Sequence, residues 1–126
     1  MSNAAELTAL LDNVTEYEMT EIAKLRAPSE ACGLLVDVPP PGRRSRCIEL
    51  PNRSMAHHDS ALIRTNDVRQ ALEGWEGNYA AIWHSHPGGN IGPSRGDMHA
   101  RSKSMPDLGY LVLTIVSDSE TVVTWY

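Results

Sequence analysis

Apolar positions recur along the chain in two alternating rhythms. Residues 4–11 are helix-prone and are interrupted at Asp12-Asn13, which fits either a short helix or a leader over residues 1–14. From Thr15 the pattern turns helical: Thr15 and Glu18 form a Thr-x-x-Glu start signal, and Met19, Ile22 and Ala23 make a stripe that ends before Pro28. Ala31 to Val38 is an apolar run suited to a buried strand. Cys47 to Leu50 is its expected antiparallel partner around Pro39-Pro40-Pro41-Gly42. Asn52 to Asp59 is polar and reads as a loop carrying His57 and His58, which are expected at the surface. Ser60 to Arg64 is expected to form a short strand. A second helix opens at Thr65 or Asn66, places Val68, Ala71, Leu72 and Trp75 on one face as core, and stops at Gly77-Asn78.

Ala80 to His86 reads as a strand, broken by Pro87-Gly88-Gly89. Gly92-Pro93 then turns the chain into a helix starting near Arg95, with Ser94 as its cap and Asp97 three residues on. That helix runs on through Met98 to Ser104 until Pro106-Asp107. Tyr110 to Val116 and Thr121 to Trp125 close the chain as two antiparallel strands joined by Ser117-Asp118-Ser119-Glu120. Helices interleaved with strands predict a mixed layered α/β fold in a single domain over residues 15–126.

Composition narrows the function classes. With 41% hydrophobic and 21% charged residues the chain is ordinary for a globular protein. Its net charge of -5 disfavours nucleic acid, since phosphate binding wants a basic face, and Arg43, Arg44 and Arg46 are the one basic cluster. No apolar run approaches the ~20 residues a membrane span requires, and no signal peptide opens the sequence, so a cytoplasmic location is expected. Two cysteines are too few for a disulfide framework; a Cys32–Cys47 bridge across the Pro-rich turn is conceivable, with reduced thiols the expectation.

The candidate chemistry sits in Ala80 to Asp97. Residues i and i+2 of a strand share a face, so His84 and His86 can present two imidazoles to one ion. Asp97, in the first turn of the following helix, can add a carboxylate. Two imidazoles and one carboxylate suit zinc and leave a fourth position open, as catalytic zinc sites do. Read singly, each residue also has an ordinary explanation. The histidines can be a surface or core pair, Ser94 a cap, Asp97 a carboxylate favoured by the helix dipole, and Glu30 a solvated charge.

Read together with Glu30-Ala31-Cys32-Gly33-Leu34-Leu35, the run His84-Ser85-His86-Pro87, Ser94 and Asp97 closely resembles the JAMM motif of the MPN (JAB-type) metalloprotease superfamily. That motif is Glu, a variable gap, His-Ser/Thr-His, seven residues, Ser, two residues, Asp; here Pro87 to Pro93 are the seven and Arg95 and Gly96 the two. The resemblance implies an α-β-α fold with a curved mixed sheet, related in architecture to cytidine deaminases, although the deaminase signature itself is missing. It implies His84, His86 and Asp97 as zinc ligands, Glu30 as a general base and acid that is not a ligand, and Ser94 as an oxyanion donor. The implied activity is hydrolysis of amide bonds after the C-terminal Gly-Gly of a ubiquitin-like or sulfur-carrier protein. Only about fifty residues separate Glu30 from His84, which suits a compact prokaryotic or phage-type member. A phage tail-assembly peptidase and a non-catalytic MPN scaffold are the alternatives.

Overall fold

The structure, a computed structural model, describes residues 10–38, 44–77, 80–103 and 108–126. Residues 4–9 of the helix-prone segment 4–11, the Pro39-Pro40-Pro41-Gly42 turn, Arg43, Asn78 and the break at Pro106-Asp107 lie outside these residues. The described elements are helix α1 (Asn13–Arg26), strands β1 (Cys32–Val38) and β2 (Arg44–Leu50), helix α2 (Thr65–Ala71), strand β3 (Ala80–His86), helix α3 (Arg95–Ser102), and strands β4 (Gly109–Ser117) and β5 (Glu120–Trp125).

The strands form one open sheet in the order β2-β1-β3-β4-β5. Only the β3–β4 pair is parallel, the connection between them running through α3. Alternation along each strand builds a core on both faces. On one face Leu35, Ala81, Trp83, Leu111 and Leu113 pack with Met19 and Ala23 of α1. On the other, Leu34, Val36 and Ala80 pack with Val68 of α2. Each fully buried leucine, valine or methionine among them contributes about 1.5–3 kcal/mol. The expected mixed layered architecture is therefore present.

Local details differ from expectation in three places. Helix α1 begins at Asn13 because Asp12, not Thr15, is its cap: the Asp12 carboxylate accepts from Thr15 N at 2.8 Å. Thr15 is instead buried, its hydroxyl 2.6 Å from Ser45 Oγ. Helix α2 stops at Ala71, so Trp75 lies beyond it; the indole still packs on the second core cluster and donates to Asp37 O at 2.7 Å. Residues 60–64 form no strand, because their backbone groups are taken up elsewhere. Leu62 N donates to Asn52 Oδ1 at 3.0 Å, Leu62 O accepts from Arg53 N at 2.9 Å, and Ser60 O accepts from Asn52 Nδ2 at 2.9 Å.

The cysteines are reduced, as expected, and the strand register gives the reason. Cys47 is opposite Leu35 and shares its face, whereas Cys32 lies three residues before Leu35 and points to the other face. The sheet itself separates the two sulfurs, and both thiols are free. Burial pushes each thiol from near 9 up to about 12. A folded pKa above the unfolded one means a contribution to stability that is whole below pH 9 and lost as the pH rises toward 12. In the native protein at pH 8, Cys32, with no exposed surface, is expected not to react with a disulfide-exchange reagent, and Cys47 to react slowly. Both should react at once in denaturant, and rapid native reaction of two thiols would contradict this burial.

Candidate metal centre

Strand register puts His84 and His86 on the α2 side of the sheet, at the end of β3. Flanking strands hold them there. Val112 and Thr114 of β4 lie beside His84 and His86 in the register, and Thr114 Oγ1 donates to Asn90 O at 2.9 Å. Asn90 O is also 3.0 Å from His86 Nδ1. A carbonyl can only accept, so His86 Nδ1 carries a proton; Nε2 donates to Asp97 when the ring is doubly protonated and keeps its lone pair for an ion when the ring is neutral. Orienting a ligand imidazole through its second nitrogen is how metal centres fix the tautomer.

Helix α3 brings the carboxylate. Gly89 and Gly92 adopt φ of +87° and +79°, which a side chain rarely tolerates, and they turn the chain back from β3. Ser94 then closes a reciprocal cap: its Oγ accepts from Asp97 N at 3.0 Å, and its own N donates to Asp97 Oδ2 at 2.8 Å. The outcome is a compact triangle. His84 Nε2 lies 3.2 Å from His86 Nε2, and Asp97 Oδ2 is 3.1 Å from each. Asp97 is half-buried, and burial works against its charge. The hydrogen bonds from His84 and His86 and from Ser94 N outweigh that and hold it well below the usual carboxylate range. The same contact with Asp97 raises His86 against the opposing effect of burial.

Glu30 completes the cluster. It is 6% exposed, and a carboxylate oxygen of Glu30 lies within 4.8 Å of the ring nitrogens of His84 and His86. Burial raises its pKa, against the pull of the two histidines. Its Oε1 has no hydrogen-bond partner among the described residues. An unpartnered buried oxygen beside two imidazoles is a costly arrangement for a fold to keep without a use.

Three contacts deliver Glu30 to this position. Ala31 is tied twice to Ser85, its N donating to Ser85 Oγ at 2.8 Å and its O accepting from Ser85 N at 2.9 Å. Ser85 therefore acts as a geometric support between the histidines. Glu30 N donates to His57 O at 2.7 Å, and Glu30 O accepts from Asn52 Nδ2 at 3.0 Å. Asn52 uses all its capacity, also donating to Ser60 O and accepting from Ser54 N and Leu62 N. The loop from Asn52 to Asp59 is thus the clasp that fixes Glu30. His57 and His58 are exposed, as the sequence suggests, but His58 and Asp59 also line a cleft of about 370 Å³ with Glu30, His86 and Ser94. Composition of the loop carries no signal of that role, which depends on contacts across twenty or more residues.

The donor set fits a divalent cation. Three nitrogen and oxygen atoms at mutual separations of 3.1–3.2 Å can share one ion at the ~2.0–2.2 Å bond lengths of zinc. The lone pair of His86 Nε2 and the anionic Asp97 both face the shared space. Glu30, His84, His86, Ser94 and Asp97, all singled out from sequence, are brought together here.

The family model for prokaryotic homologs of the JAB domain matches residues 13–126. Among solved structures, the fold is similar to that of a Desulfitobacterium hafniense protein determined in solution, at 27% identity and a TM-score of 0.63, covering 90% of this chain and 79% of that one. It is also similar to a Salinibacter ruber protein determined in solution, at 17% identity and a TM-score of 0.53, covering 91% and 78%, a likeness of fold alone. Among curated proteins none matches.

Proposed function

The chain belongs to the family of prokaryotic homologs of the JAB domain, and from that premise we propose that it is a zinc-dependent peptidase or isopeptidase. JAB-domain proteins include hydrolases and scaffolds. The observation that favours a hydrolase is the His84–His86–Asp97 triangle with the buried, unpartnered carboxyl of Glu30 beside it. His84, His86 and Asp97 would hold zinc. The ion would supply Lewis acidity, lowering the pKa of water to about 7 and polarising a carbonyl.

The remaining work falls to the chain's own groups. Glu30, raised by burial, accepts the proton of the attacking water and returns it to the leaving nitrogen, which departs poorly until protonated. His86 is held in one tautomer by Asn90. Ser94 accepts from Asp97 N through a lone pair, which leaves its O–H free to donate to a developing oxyanion. Capping and donation are therefore compatible. Ser94→Gly tests this, because the backbone bond from residue 94 to Asp97 survives and glycine caps cost only a few tenths of a kcal/mol relative to serine. The variant is expected to keep zinc and its melting temperature within a few degrees while turnover falls about 10²–10³-fold. Undiminished turnover would leave Ser94 as a cap alone.

The substrate proposed is the amide bond after the C-terminal Gly-Gly of a ubiquitin-like or sulfur-carrier protein, processed in the cytoplasm. Among the described residues no helix is long and apolar enough to cross a membrane. Zinc-loaded protein offered a panel of Gly-Gly-tailed carriers fused to a reporter, beside unrelated peptides, is expected to cleave only after the double glycine, read by mass. Cleavage of a phage tail protein instead would assign the tail-assembly role. Absence of cleavage together with absence of stoichiometric zinc would assign a scaffold.

A further inference from the structure

The centre opens on two sides, and the two openings differ in chemistry. The cleft holding Glu30, His86 and Ser94 is flanked by Gly88, Gly92 and Pro93. On the opposite side, His84 and Asp97 form one wall of a second cavity of about 510 Å³. Its lining is chiefly apolar: Leu62, Ile63, Val68, Ile82, Tyr110 and Tyr126. The Tyr126 ring stands edge-on to His84 at 6.3 Å and lies 6.0 Å from Tyr110, so aromatic surface runs from the imidazole outward.

Charge is distributed unevenly in this cavity. Arg101 and Lys103, at the end of α3, line it in a chain whose net charge is -5. The Arg101 guanidinium carbon lies 4.2 Å from the centroid of the Tyr110 ring. Stacking on an aromatic face holds the guanidinium plane while leaving its N–H edge available. Among the described residues no carboxylate lies within ion-pair distance of Arg101 or Lys103, and Asp97, which shares the cavity wall, is engaged by the two histidines instead. Leu62, one of the lining residues, is about half exposed. Apolar surface followed by an oriented guanidinium that no described carboxylate pairs is complementary to an apolar side chain followed by a carboxylate.

We propose that this cavity is a substrate subsite, reached past His84, that selects a peptide segment with an aliphatic residue followed by an acidic side chain held by Arg101. The inference rests on the hydrolase reading for its meaning, since a selected residue matters only beside a scissile amide. It goes beyond that reading by naming the sequence on one side of the bond.

The test is a binding measurement. The full chain carrying Glu30→Gln, so that turnover does not compete, is titrated with acetyl-Leu-Glu-amide and acetyl-Leu-Gln-amide while amide resonances are followed by NMR. The acidic peptide is expected to bind at least about tenfold more tightly, the worth of one charge-assisted hydrogen bond, and to move the signals of Ile63, Val68 and Arg101. Added Arg101→Gln should bring the two affinities within about twofold, and Arg101→Lys should retain part of the preference, because a point charge cannot reproduce the planar fork. Equal affinities, no binding, or shifts confined to the other cleft, around Gly92 and Ser94, would overturn the subsite. Tighter binding of acetyl-Leu-Gly with a free terminal carboxylate would overturn its assignment to an acidic side chain. Wild-type protein that shows the preference yet cleaves no amide would refute the hydrolase and leave the subsite standing. Cleavage indifferent to the carboxylate would refute the subsite and leave the hydrolase.

Discussion

Asp97→Asn is expected to cut zinc affinity severely and to end hydrolysis while leaving the fold in place. The substitution is chosen because it separates two roles that meet in one side chain. The amide oxygen of asparagine can still accept from Ser94 N, so the cap of α3 survives in geometry. What is lost is the negative charge between two imidazole nitrogens 3.2 Å apart. Neutral donors alone compensate a divalent cation poorly. The apparent zinc affinity should fall by more than the ~10–100-fold typical of residues that merely support a ligand. Competition against a chelating dye measures the affinity, and circular dichroism reports the fold. Full zinc occupancy in this variant would remove Asp97 from the ligand set and leave Glu30, His84 and His86 as the remaining cluster.

Glu30→Gln has the opposite signature: zinc stays and turnover goes. Glutamine occupies the same volume but cannot cycle a proton, so the rate should drop by about 10²–10⁴-fold. The metal-free variant should also be more stable than the metal-free wild type at pH 7, by about 0.5–2 kcal/mol. The sign follows from linkage. Burial raises the Glu30 pKa above its ordinary 4.5, so the folded state is favoured when the group is protonated, and that advantage is lost as the pH rises through the folded value. Replacing the carboxylate removes the cost, and the gap between variant and wild type should close as the pH falls toward 4.5. Melting curves at two pH values read this directly. Loss of zinc in the variant, or unchanged turnover, would contradict the assigned role.

Much of the molecule was legible before any coordinates. Ala80 to His86 opens on the apolar run Ala80-Ala81-Ile82-Trp83 and is followed by Pro-Gly-Gly, so both its strand character and its end are written locally. The start of α3 was legible because Ser94 and Asp97 state a reciprocal cap within four residues. Errors arose where two local signals competed or where the partner was distant. Asp12 and Thr15 are both good caps, and only the burial of Thr15 against Ser45 decides between them. The segment 60–64 has the composition of a strand, yet its backbone is claimed by the side chain and neighbour of Asn52. Asn52 itself reads as loop. Its hold on Glu30 depends on a contact across 22 residues that no periodicity encodes. Likewise, Arg101 of α3, Tyr110 of β4 and Tyr126, one residue past β5, meet only in space.

The central claim is that His84, His86 and Asp97 hold one divalent ion, and X-ray absorption at the zinc edge of the purified full-length chain tests it most directly. The account predicts one zinc per chain, with nitrogen and oxygen neighbours at about 2.0–2.2 Å, outer-shell scattering from two imidazoles, and no sulfur. Zinc bound through sulfur, with a single imidazole, or absent after zinc loading would contradict it.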